Sequence, residues 1–226
     1  MAANPPPMEP VDLASPGPVP TYLREMAPVC PFVEPSARAG LLFAVEVTPD
    51  CREPADVHPR LFEQLVPLIE RFRDVRRALP SPQQRLLVCH TAVIRLPSHL
   101  DGPAVQLLRW PNLLAWSLKQ LYTSKEVVLG VVRKGVAERS MAGAAVPIAP
   151  FHAVIIRSRV VNADARFFPR NRALLDALMN ADDDGADVHG PLLGTVPDVR
   201  DPDALRADRY YQRVLGKWRQ QAGAGQ

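Results

Sequence analysis

Apolar positions along the chain fall into two spacings, and each spacing predicts a kind of element. Leu41 to Val47, LLFAVEV, follows Gly40 at strand length with aromatic and β-branched content, and predicts a first strand. Pro54 to Pro59 reads as loop, with Asp56 as an N-cap and Pro59 tolerated in the first helical turn. Leu61, Leu65, Leu68, Ile69, Phe72, Val75 and Leu79 then recur every three or four residues, which marks one face of an amphipathic helix that Pro67 should bend. Arg71, Arg73, Arg76 and Arg77 load its last turns, where cations suit the negative end of the helix dipole.

The segment PSPQQ breaks this helix, and RLLVCHTAVIRL after it is apolar at both parities, as a strand covered on two faces should be. A turn over Ser98 to Pro103 leads to a Leu- and Trp-rich helix over Val105 to Tyr122, interrupted near Pro111. Val127 to Val132 and Ala153 to Val161 predict a third and a fourth strand, joined by a Gly/Ala-rich connection from Gly135 to Pro150. Helices are expected over Asp164 to Met179 and Ala204 to Gln221, with loop between them. This order predicts an α+β fold: an antiparallel or mixed four-stranded sheet with helices packed on it.

The first 20 residues carry no periodic apolar face and seven prolines, from Pro5 to Pro20, so they predict an extended leader outside the core. Such a leader is expected to be dispensable for folding. The domain reading is therefore a Pro-rich leader over 1–20, a single α+β domain over 21–221 and a frayed tail over 222–226. Proline totals 25 of 226 residues, about twice an average share. A net charge of +3 is too small a surplus to imply nucleic acid. No apolar run reaches the roughly 18 residues a membrane span needs. Three cysteines without a CxxC pair signal neither a disulfide framework nor structural zinc, and a cytoplasmic protein is expected.

No GxGxxG, GxxxxGK[ST] or HExxH pattern is present, so dinucleotide, P-loop and zinc-hydrolase chemistry lack their usual frame. His58 and His189 fall in predicted loops, His99 just past a strand, and His90 and His152 at strand positions, where each is either a satisfied buried histidine or a ligand. Cys89 adjoins His90, but strand neighbours point to opposite faces and cannot form a nucleophile and base pair. The run Asp182 to Asp184 lacks a calcium-loop pattern and reads as solvated loop. Arg157 and Arg159 share one strand face and, with Arg133, are candidates to hold a carboxylate or phosphate.

The segments PVCPFVEPSARAGLLFAVEV, VVLGVV and VPIAPFHAVIIRSRVVNADARFF together resemble an uncharacterised actinobacterial domain family found near natural-product biosynthesis genes. In the order of the Cys30-Pro31-Phe32 entry, the strands and the late helix, that family is distantly similar to YqcI/YcgG-type proteins, which include heme-dependent N-hydroxylases. The resemblance implies heme, an oxidoreductase acting on a nitrogen of a small amino-acid-derived substrate, and an iron-ligating histidine in a Gly-x-His-Pro end to the third strand. Here that stretch reads Gly130, Val131, Val132, Arg133, Lys134, without the histidine. A relocated iron ligand falls first to His152 and then to His90, with Arg157, Arg159 and Arg133 as cofactor contacts. The leading reading is a heme enzyme with a substituted ligand, and the alternative is a non-catalytic binding or partner subunit that has lost the heme site. The implied partners are a small-molecule substrate or a biosynthetic partner protein, and a homo-oligomer fits either class.

Overall fold

The computed structural model describes residues 8–101, 127–140 and 143–160 together with Leu118 and Tyr122; at 54, 55 and 58 it describes the backbone alone. The helices expected over 164–179 and 204–221, most of that over 105–122, the acidic run at 182–184, His189, the frayed tail and residues 1–7 lie outside this set, as does the His58 side chain.

The fold is α+β, built on a mixed sheet of five strands rather than the expected four. In chain order the elements are β1 (Glu9–Pro10), α1 (Pro18–Met26), α2 (Val33–Arg38), β2 (Leu42–Val47), α3 (Pro54–Ala78), α4 (Pro82–Leu87) and β3 (Cys89–Ile94). After a 3-10 turn at Ser98–Leu100 come β4 (Val127–Val132), a small hairpin of β5 (Glu138–Arg139) and β6 (Ala145–Val146), and β7 (His152–Ser158). The sheet runs β1-β2-β3-β7-β4, with β2 and β3 parallel and the other pairs antiparallel. The parallel pair exists because α3 carries the chain back across one face before β3 begins, as any parallel connection requires.

Helices cover both faces. On one, Leu61, Leu65, Leu68, Ile69 and Phe72 of α3 pack against Val45, Ala92, Ile94, Val154 and Ile156, joined by Leu118 and Tyr122. On the other, Tyr22 and Leu23 of α1 and Val33 of α2 pack on Leu42, Cys89, Val93 and Ala153. The Tyr22 ring meets Phe151 edge-on at 5.3 Å. Every residue of β3 is consequently buried, which accounts for its apolar character at both parities.

Several expectations need correction. The leader is not outside the core over its described part: Glu9 and Pro10 pair with Ala44 and Phe43, and the Val11 amide donates to Leu42 at 2.8 Å. Val11 and Leu13 pack against the core under α1, and helix α1 already starts at Pro18. Pro10 is tolerated because β1 is an edge strand, where a missing N–H need not face a ladder partner. Helix α3 begins at Pro54, with Glu53 rather than Asp56 in the capping position. Pro54 at its first turn has no N–H to leave orphaned, while Asp56 lies in that turn against the positive end of the dipole.

The strand expected from Arg85 begins only at Cys89, because Ser81 caps a short helix first: its Oγ accepts the Gln84 amide at 3.1 Å. The fourth strand ends at Ser158, where its partners Cys89 and Val127 run out. The Gly/Ala-rich connection holds the β5–β6 hairpin, entered through Gly135 at φ +70°, whose amide donates to Ala149.

Candidate functional site

Strand pleat and register decide which of the candidate residues meet. His152 opens β7 opposite Ile94, and Arg157 lies near the other end opposite Cys89. Five positions along one strand put them about 17 Å apart and on opposite faces of the sheet. His90 shares its face with His152 but stands four positions from Ile94, about 13 Å along the strand, so the two imidazoles cannot converge on one ion. Arg133 follows β4 at the His152 end, where Val132 pairs with Ala153. Its grouping with Arg157 and Arg159 is therefore corrected: Arg133 is bound instead to Glu138, with Nε and a terminal nitrogen at 2.9 and 2.8 Å from one carboxylate oxygen. The separation follows from the antiparallel β4–β7 register, in which Val132 pairs with Ala153 and Val128 with Arg157.

His152 is buried, and its Nδ1 accepts the backbone N–H of Lys134 at 3.1 Å. Burial holds its pKa below the ordinary value, with Asp101 opposing and Lys134 reinforcing that direction. The neutral ring therefore carries its proton on Nε2. Next to it the Lys134 ammonium is paired with Asp101 at 2.5 Å. His90 is 1% exposed, with Phe43 and Phe72 meeting its ring edge-on at 5.2 and 5.1 Å. Neither of its nitrogens has a hydrogen-bond partner among the described residues, and burial, with Arg71 nearby, pushes its pKa down to about 4.

Cys89 points to the α1/α2 face, away from His90, and burial pushes its thiol up to about 12, which removes it as a nucleophile. Arg157 is on that same face, with its guanidinium carbon 5.0 Å from the Phe32 ring centroid and a bond of 2.9 Å to the Ser158 carbonyl. Arg159 follows just past the end of β7, half-buried. His99 is exposed beside the Arg52 carbonyl.

A concavity that the sequence does not signal opens where α3 ends and α4 begins. It encloses about 230 Å³ and is lined by Arg73, Arg76, Arg77 and Arg85. Three of these were visible as the basic end of a helix; the fourth joins them only because the Ser81 cap turns the chain into α4. Among the described residues no group of three His, Cys, Asp or Glu side chains is placed to hold a metal ion, and no helix is long and apolar enough to cross a membrane. No protein-family model, curated protein or solved structure matches the chain.

Proposed function

We propose that the chain is a cytoplasmic binding or partner subunit of specialised-metabolite biosynthesis with no heme of its own, the alternative to the heme enzyme that the resemblance implies. The observation that carries this reading is the bond from the Lys134 amide to Nδ1 of His152. A backbone N–H can only donate, so Nδ1 must be bare. An imidazole that binds iron through Nε2 needs the opposite arrangement, with Nε2 bare and Nδ1 donating to a neighbour. Reversing the tautomer here would set two N–H groups against each other in a buried site. His90 fits a ligand no better, since two phenyl rings close on it.

The competing reading is a heme-dependent oxidation of a substrate nitrogen, as the YqcI/YcgG resemblance implies. Hemin titration of the full-length protein, shown by circular dichroism to be folded, separates the two. The binding-subunit reading expects the spectrum of free hemin at equimolar ratio. A shifted Soret band that disappears in His152→Ala would overturn it.

A further inference from the structure

We infer that the concavity between the end of α3 and α4 is a binding site for the phosphate group of a small phosphorylated metabolite. Arginines at the end of α3 alone would be an ordinary complement to the helix dipole. Arg85 lies in the last turn of a different helix, and three separate contacts bring it to the same hollow. The Ser81 cap starts α4, the Ser158 hydroxyl donates to the Arg85 carbonyl, and Arg85 Nε donates to the Leu79 carbonyl at 2.8 Å. Like charges in one concavity repel, so gathering them there favours an anion that balances them.

The protein supplies that balance only in part. Glu70 takes one terminal nitrogen of Arg73 through both carboxylate oxygens at 2.7 Å, and Asp74 takes one of Arg77 at 2.5 Å. Arg85 has only a neutral carbonyl as partner among the described residues, so its charge is unmatched there. A guanidinium carries five N–H donors. Arg73, Arg77 and Arg85 spend one, two and one nitrogen on the bonds named, so each keeps donors for a ligand.

Three acceptor oxygens and a charge near −2 match three guanidiniums better than a single carboxylate does. Size points the same way. At about 230 Å³ the hollow is below the roughly 300–1,000 Å³ of sites that enclose a whole ligand, yet it has room for a phosphate and several waters. The head group would enter and the rest of the metabolite would lie outside. The site is at the Cys89 end of the sheet, far from His152, so the hemin result neither supports nor removes it.

The test is calorimetric titration of the full chain with inorganic phosphate and with pyrophosphate at low ionic strength. Both should bind, and Arg77→Gln with Arg85→Gln, two exposed positions, should weaken each by about tenfold or more. Arg85→Lys should recover only part of the loss, because it keeps the charge but not the fork geometry. Arg139→Gln, on the distant hairpin, should leave binding unchanged. If the double variant fails to fold, the arginine side-chain NMR signals of the unmodified protein decide. Pyrophosphate should move those of Arg73, Arg76, Arg77 and Arg85 ahead of all others. No binding up to about 10 mM, binding that survives the double variant, or shifts centred on other arginines would overturn the inference.

Discussion

The amide of Lys134 reaches back across the turn after β4 to Nδ1 of His152, the first residue of β7, at 3.1 Å. One bond thereby fixes where the β4–β7 ladder starts, which tautomer the imidazole adopts and how Lys134 is presented to Asp101. His152, the first candidate for a relocated iron ligand, thus ties the end of β4 to the start of β7.

His152→Phe tests that role. The ring volume is retained and the acceptor is lost, leaving a half-buried N–H without its partner. A loss of about 1–2 kcal/mol is expected in urea unfolding at pH 7. An unchanged midpoint would remove this tie from the account.

Acid should destabilise the protein through its two buried histidines. Both have folded-state pKa values below the ordinary 6.5, so the unfolded chain takes up protons first as the pH falls. The stability they provide is whole above about pH 6.5, declines through the window below it and is fully lost once the pH passes the folded value, about 4 for His90. His90 alone should account for about 3 kcal/mol over that range. Urea midpoints measured from pH 7.5 to 4 should show the decline, and His90→Leu should flatten most of it while costing little at pH 7. A decline of the same steepness in that variant would assign the effect elsewhere.

Much of this architecture is legible in the residues themselves. β-Branched runs mark β2, β3, β4 and β7, and the absence of alternation in Cys89 to Ile94 announces a strand covered on both faces. In β7 strand alternation sets Arg157, opposite Cys89, on the other face from Ile156, which packs against α3. What stays hidden depends on pairing across long intervals. Nothing local tells that Glu9 and Pro10 find an edge at Phe43 and Ala44, or that Arg133 and Arg157 finish at opposite ends of adjacent strands. Helix α4 is different, because Ser81-Pro82 with Gln84 three residues after the serine is a helix-start signature, and the apolar pair Leu86-Leu87 behind it reads as strand only if that signature is passed over. The arginine hollow is missed for the same reason, since Arg85 reaches it only as a helical residue.

The N-terminal segment should matter for stability, against the expectation that prolines alone suggest. Deleting residues 1–17 removes the β1 pairing, the bond of 2.6 Å from Arg24 to the Leu13 carbonyl, and the half-buried Val11 and Leu13. Two partly buried aliphatic side chains and an edge ladder are worth about 2–3 kcal/mol, or about 4–12 °C in Tm for a chain of this size. Differential scanning calorimetry of the truncated and full proteins makes the comparison; equal melting temperatures would return this segment to the status of a leader.

Ser81→Ala joins stability to the proposed phosphate site. The hydroxyl accepts the Gln84 amide at 3.1 Å and starts α4, so its loss should cost about 1 kcal/mol in urea unfolding. Helix α4 has only six residues and little else to hold its first turn, because none of its side chains is fully buried. Arg85 should then be presented less firmly, and pyrophosphate affinity should fall although no lining residue has changed. Ser81→Asp retains an acceptor at the cap and should restore both properties. If the alanine variant loses stability while its affinity stays intact, Arg85 is positioned by its bonds to Leu79 and Ser158 alone, and the cap contributes only to the fold.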